Sequence, residues 1–319
     1  MEQFHIHGVV PVIPTPFRAD ETIDFASLQA LIDFAVAANC SAICLPAYAS
    51  EFYKLSDEER LAVAREAVVA ARRGIPVIGQ ANHAAARLAA KSARDLQAAG
   101  VDAVAVAVPR LFSLPEPDIF RYFDTVLSAI EVPLLVQDFN PGGPTLSPRF
   151  IADLHRLHAH FRYIKLEEPL MAAKIKAILD ATAGEVGVLE GWGGMYLLEL
   201  IEAGICGVMP GLALADLLSR IYRLSAAGNQ PAAYDIFSAV LPQIVFSLQN
   251  MEFFHHAEKR LLALRGILPG ATVRDLTISP HPIDAAHIDF LNRQILALLD
   301  RLHMPRNPLS RDREGALHR

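Results

Sequence analysis

The run Gly8-Val9-Val10-Pro11-Val12-Ile13 has the length of a buried strand, and the loop behind it reads Pro14-Thr15-Pro16-Phe17. An open doubly wound sheet follows its first strand with a glycine-rich loop that wraps a phosphate. Two prolines, a threonine and a phenylalanine cannot make that loop. Further strand-length apolar runs stand at residues 42–46, 76–80, 103–108 and 133–137, each behind a helical segment rich in Ala and Leu. Runs at 163–167, 186–190 and 206–209 bring the number to eight before about residue 210. This alternation predicts βα units around a parallel sheet, and eight of them predict closure into an α/β fold of the (β/α)8 TIM-barrel type.

Helix boundaries carry their own chemistry. Ser56-Asp57-Glu58-Glu59 reads as a capping box, and Ser147-Pro148 puts proline at a first helical position. Three more helical patterns, about 231–248, 252–265 and 285–301, follow with no strand between them. The expected organisation is a barrel over 1–228, a helical extension of the same domain over 229–303, and a tail over 304–319 whose polar end, from Asn307, is read as frayed.

The chain has 319 residues, 52% hydrophobic and 20% charged, with a formal net charge of -6. That is enough chain for one large core, and the charge gives no broad attraction to nucleic acid or anionic lipid. Apolar runs are broken by charges well short of membrane-spanning length. A small molecule is the expected partner. Cys40, Cys44 and Cys206 are odd in number and set among apolar residues, so they read as buried thiols of a reducing, cytoplasmic compartment.

Only six lysines occur. Lys54, Lys91, Lys174, Lys176 and Lys259 are read as lying in loops or on polar helix faces. Lys165 stands inside the strand Tyr163-Ile164-Lys165-Leu166-Glu167, where both faces of a parallel barrel are buried and a charge is costly. Burial favours the neutral amine, the form that attacks a ketone carbon. Strand periodicity turns Lys165 and Glu167 to the same, interior side and Leu166 to the other. The plain alternative is a buried structural ion pair. Glu167 is a candidate proton carrier at the carbon beside an imine, Glu190 at the end of the next strand is a second, and Glu168 is a weaker one.

Over roughly residues 8–300 the chain resembles the dihydrodipicolinate synthase and N-acetylneuraminate lyase family. Gly8 to Phe17 is similar to that family's first strand, Leu55-Ser56-Asp57-Glu58-Glu59-Arg60 to the start of its second helix, and Gly74-Ile75-Pro76-Val77-Ile78-Gly79 to its third strand. Gly204-Ile205-Cys206-Gly207-Val208 resembles its eighth strand. The resemblance implies that Lys165 is the Schiff-base lysine of a class I lyase acting on a small 2-oxo acid, that no cofactor is needed, and that the chains assemble as homotetramers.

The departures narrow the reading. Where the family carries Gly-Thr-Thr-Gly-Glu this chain has Ala47-Tyr48-Ala49-Ser50-Glu51, losing both threonines and keeping Glu51. Backbone N–H groups around Ala49 and Ser50 remain as donors to a substrate carboxylate. Where the family has Tyr-Asn-x-Pro, this chain has Val136-Gln137-Asp138-Phe139-Asn140-Pro141, and the fourth-strand tyrosine is absent from Pro109-Arg110-Leu111-Phe112. Without that tyrosine relay the chain looks more like branches that dehydrate or cleave 2-keto-3-deoxy sugar acids. Such a dehydratase needs an imine as electron sink, a base at C3 and an acid at the departing hydroxyl. The expected catalytic set is therefore Lys165, Glu167 and Glu190. Ala49, Ser50, Glu51, Asn82, Gln137, Asp138 and Gly191 are the expected substrate contacts.

Trp192-Gly193-Gly194 reads as a tight turn into a helix beside the pocket. His255-His256 are adjacent on a helix and share no face, so no metal site is expected there. Two rival classes remain: a barrel that binds a sugar acid or 2-oxo acid without turning it over, and a metal-dependent aldolase.

Overall fold

The structure is a computed structural model that describes residues 4–71, 74–140 and 143–310. Eight parallel strands form one sheet: β1 (Gly8–Val9), β2 (Ile43–Leu45), β3 (Val77–Gln80), β4 (Ala103–Ala107), β5 (Leu134–Phe139), β6 (Phe161–Glu167), β7 (Gly187–Glu190) and β8 (Gly207–Val208). Their order is β1-β8-β7-β6-β5-β4-β3-β2. The ring closes beyond the short β1, where the Ile13 N–H donates to Cys44 O at 3.0 Å and the Cys44 N–H to Pro11 O at 3.0 Å. This is a TIM barrel. The first strand is shorter than its apolar run because Pro11 has no N–H for a ladder.

The helices of the ring are α1 (Phe25–Ala37), α2 (Asp57–Ala71), α3 (Ala86–Ala99), α4 (Glu116–Leu127), α5 (Pro148–Leu157), α6 (Ala172–Ala181), α7 (Leu197–Ala203) and α8 (Ala215–Ala226). The capping box at α2 is reciprocal: Glu59 N–H donates to Ser56 Oγ at 3.2 Å and Ser56 N–H to Glu59 Oε2 at 3.0 Å. At α5, Ser147 Oγ accepts from the Phe150 N–H at 3.1 Å. Beyond the ring lie α9 (Gln230–Ser247), α10 (Met251–Leu264) and α11 (Pro282–Arg301). Residues 304–310 are docked rather than frayed, with Asn307 Nδ2 donating to Gly266 O at 2.8 Å and Leu309 packed on the core. The expected tail beyond residue 310 lies outside the described residues.

Alternation along the strands sorts the side chains into two cores. Val104, Val106, Val136, Ile164, Leu166, Val188 and Val208 face outward and pack under the helices. Cys44, Ile78, Ala105, Leu135, Tyr163, Leu189 and Met209 fill the barrel. Each large apolar side chain so buried contributes about 1.5–3 kcal/mol. Below Tyr163, the N-terminal segment closes the barrel floor: Ile6 is fully buried, and its N–H donates to the Tyr163 hydroxyl at 3.1 Å. Among the described residues, the filled interior leaves space at the C-terminal end of the strands, where barrel chemistry is done. None of the described helices is long and apolar enough to cross a membrane.

Candidate active site

Lys165 sits on the inner face of β6, one step above Tyr163. The register Gln137–Lys165–Leu189 puts it level with Gln137 of β5 and Leu189 of β7. Above this level opens a cavity of about 600 Å³ whose walls include Lys165, Glu167, Gln137, Gln80, Tyr48 and Trp192.

Four of these side chains form one chain of contacts. Gln80 Nε2 donates to Gln137 Oε1 at 2.8 Å, and Gln137 Nε2 donates to Glu167 Oε1 at 2.7 Å. The same Glu167 oxygen lies 3.0 Å from Lys165 Nζ. The amides fix the carboxylate, and the carboxylate fixes the lysine. Gly191 leaves room for this: a Cβ there would stand 2.3 Å from Glu167 Cγ. That is why a glycine follows β7, since no larger residue allows such close approach.

The sequence-derived candidates divide into two sets. Ala49, Asn82, Gln137, Lys165, Glu167 and Gly191 line the cavity; Ser50, Glu51, Asp138 and Glu190 do not. Asn82 Oδ1 accepts from the Ala107 N–H at 2.7 Å, which fixes the amide, while its buried Nδ2 has no partner. The Ser50 hydroxyl is spent on Ile13 O at 2.5 Å, and its N–H donates within the turn to Ala47 O at 2.9 Å. The expected Ser50 donor to a carboxylate is thus already engaged.

Glu51 is buried behind the loop, held by Lys259 Nζ at 2.5 Å, Lys54 Nζ at 3.1 Å and the Arg274 N–H at 3.1 Å. Its role here is to anchor the loop rather than touch a ligand. Lys259 is the counterpart correction: read as a polar-face residue, it is 1% exposed, and burial pushes its ammonium down to about 8. Lys54 is likewise buried in this cluster, between Glu51 and Glu252 Oε2 at 2.7 Å. The cationic groups found their partners on elements some 200 residues away, which a local pattern cannot show.

Asp138 and Glu190 belong to the outward phase of their strands, with Val136 and Val188. Asp138 pairs with Arg110 Nη2 at 2.6 Å and accepts from the Leu146 N–H at 2.5 Å; burial raises its carboxyl against the lowering effect of Arg110. Glu190 is fully buried and accepts from the Gly194 N–H at 2.8 Å, with its other oxygen unpartnered. Burial pushes it up to about 7. The proximity to Lys165 expected of Glu190 is therefore electrostatic, through the barrel wall, and not a shared face. The alternation Val188-Leu189-Glu190 held that information. Residue Pro141 of the loop after β5 lies outside the described residues.

Three polar cavity residues lie outside the expected set: Gln80, Arg110 and Tyr48. Gln80 was readable, being in phase with the inward Ile78. Arg110 and Tyr48 sit in loops, where side-chain direction has no period to follow. Trp192 does border the cavity, edge-to-face with Phe139 at 6.0 Å, and its buried indole N–H has no partner.

Residues 5–278 match the model of the Dihydrodipicolinate synthetase family. The chain belongs to that family. Among its members, the L-2-keto-3-deoxyarabonate dehydratase of Azospirillum brasilense is 29% identical over 301 residues, covering 92% of this chain and 94% of that one. A protein of Escherichia coli K12 named putative 2-dehydro-3-deoxy-D-gluconate aldolase YagE is 30% identical over 148 residues, 46% of this chain and 49% of the other. In three dimensions, dihydrodipicolinate synthase from Rhodopseudomonas palustris superposes with a TM-score of 0.84 at 26% identity, covering 90% of this chain and 97% of that one. The match to the dihydrodipicolinate synthetase family extends over the eight strands and α9–α10.

Proposed function

We propose that this family member is a class I lyase in which Lys165 forms an imine with a 2-keto-3-deoxy sugar acid, and that it removes water from that substrate. The observation that carries the reading is the ion pair between Lys165 and Glu167, 3.0 Å apart in the wall of an otherwise largely apolar cavity. Once the amine has joined C2, a carboxylate at that distance from the nitrogen is within reach of the C3 proton. The imine takes the electrons of the C3–H bond as an enamine, and those electrons expel the hydroxyl at C4.

Dehydration is supported over synthesis of a dihydrodipicolinate by the place of the family's tyrosine, taken here by Val136 or Gln137, of which Gln137 lines the cavity, and by the similarity to a keto-deoxy sugar acid dehydratase over 92% of this chain. Aldol cleavage at the C3–C4 bond is the second reading, favoured by the shorter match to a named putative aldolase. By resemblance to the family, the protein is taken as a cytoplasmic homotetramer, which sedimentation velocity and cell fractionation check.

The test is intact-mass analysis after borohydride reduction with pyruvate and with L-2-keto-3-deoxyarabonate, on wild type and Lys165→Ala. The expected result is an adduct in wild type alone, mapped to the Lys165 peptide, with a product that has lost one water and no carbon. Release of a two-carbon fragment moves the assignment to aldol cleavage. Binding with neither adduct nor product overturns the enzyme reading and leaves a sugar-acid sensor.

A further inference from the structure

Dehydration needs a proton donor for the departing hydroxyl, and the two glutamates expected to share the proton work are not on the same side of the barrel wall. Glu167 faces the cavity; Glu190 does not. The other titratable side chains in the cavity walls are Cys44, Tyr48, His83 and Arg110. Cys44 is buried in the barrel interior with its thiol pushed up to about 12. Arg110 is committed to Asp138 and does not give up a proton. The His83 ring is taken up by its own loop after β3, its Nδ1 accepting from the Ala85 N–H at 2.9 Å. Tyr48 remains.

Tyr48 opens a short 3-10 turn, Tyr48–Ser50, directly after β2. In a closed ring of eight strands β2 and β6 are four places apart, so the turn carrying Tyr48 stands across the mouth from Lys165 and Glu167, and all three line the cavity. The turn is held from behind on every side. Ser50 is bonded to Ile13 O, Thr15 Oγ1 donates to Ser50 O at 2.7 Å, and Glu51 is clamped by Lys54 and Lys259. The ring itself leans edge-on against Phe52 at 4.8 Å. Its residue is 40% exposed, so the phenol is reachable from the opening.

We infer that Tyr48 is the catalytic acid that protonates the C4 hydroxyl as it leaves, working opposite Glu167. This rests on the lyase reading above. In the step, the C3–H bond breaks toward Glu167, the C4–O bond breaks, and a C3–C4 double bond forms beside the restored imine. The hydroxyl leaves as water with the Tyr48 proton. The phenolate then takes a proton from C5 while Glu167 returns its proton to C3. Both groups end as they began, and no electrons enter or leave. Burial and the charge of Glu167 both raise the Tyr48 phenol, so it is protonated near neutrality and suited to donate. Cleavage of C3–C4 would instead need a base at the C4 hydroxyl.

The test uses the full-length Tyr48→Phe protein with three readouts. Borohydride trapping with pyruvate, and deuterium exchange at C3 of pyruvate in D2O, should stay at the wild-type level, because Lys165 and Glu167 are untouched. The kcat for dehydration of L-2-keto-3-deoxyarabonate should fall by roughly 10²–10⁴-fold. An analogue carrying fluoride at C4 needs no proton for its leaving group, so the variant should release fluoride at close to the wild-type rate. Unchanged dehydration, or fluoride release as slow as dehydration, overturns the role of Tyr48. Loss of exchange together with turnover in the variant overturns it also, by making Tyr48 a structural residue. Absence of trapping in wild type would instead overturn the lyase reading itself.

Discussion

The Gln137 amide donates to Oε1 of Glu167 at 2.7 Å, the oxygen that also meets Lys165. A glutamine stands on β5 level with Lys165, and it can neither gain nor lose a proton near neutrality. It acts on Glu167, whose carboxylate it holds in place.

Gln137→Leu should therefore slow turnover while leaving imine formation intact. A hydrogen bond to a charged acceptor contributes about 1.5–3 kcal/mol, which converts to roughly a 10–100-fold fall in kcat. Single-turnover kinetics of the sugar acid, beside borohydride trapping with pyruvate, separate the two steps.

Gly191→Ala should strike the same carboxylate from the other side. A Cβ at 2.3 Å from Glu167 Cγ forces the side chain off Gln137, at about 1–3 kcal/mol of overpacking visible in thermal melts. The loss in kcat should resemble that of Gln137→Leu, and the double variant should fall well short of the product of the two losses because both act on one group. Independent, multiplicative losses would show that Gly191 serves something other than Glu167.

Glu190→Gln tests the outward placement of that residue. Burial lifts the carboxyl from 4.5 to about 7, so between those values the folded chain keeps a proton that the unfolded chain gives up. Stability then declines as the pH climbs through this window, by about 3 kcal/mol for such a group. Glu258, also lifted to about 7, adds the same slope to wild type and variant alike. The Tm of Glu190→Gln should match wild type near pH 5 and exceed it at pH 8, with kcat preserved within about threefold. A loss of 10²-fold or more in kcat would return Glu190 to the catalytic set.

Lys259→Met removes the cation that meets Glu51 at 2.5 Å inside the protein. Breaking a buried pair on one side costs about 3–5 kcal/mol, so chemical denaturation should show a loss of that order. The turn carrying Ala49 and Tyr48 hangs on Glu51, and KM for the sugar acid should rise with the loss of its anchor. A variant with wild-type stability would show that Lys54 alone holds Glu51.

What the sequence disclosed followed period and composition. Eight apolar runs marked the barrel, and the spacing of Lys165 and Glu167 put both on its inner face because backbone pleating leaves no choice. The same rule, applied to Val188-Leu189-Glu190 and Val136-Gln137-Asp138, separates Gln137 from Asp138 and turns Glu190 away. Strand ends tempt one to treat every polar residue as part of the mouth. The buried cluster of Glu51, Lys54 and Lys259 was illegible for another reason: its members come from the β2 loop and α10, and only closure of the barrel brings them together. Tyr48 sits in a turn beyond β2, where no strand period applies, and its place across from Glu167 needs the circumference of the ring.

Tyr163 and Leu135 fill the barrel beneath Lys165, and the segment around Ile6 closes it below. Among the described residues, the chamber opens at the C-terminal end of the strands, past Tyr48 and Trp192. On the lyase reading proposed above, sugar acid and product share that opening. On that reading, a compact 2-oxo acid lodged on Lys165 would exclude the next molecule from the chamber.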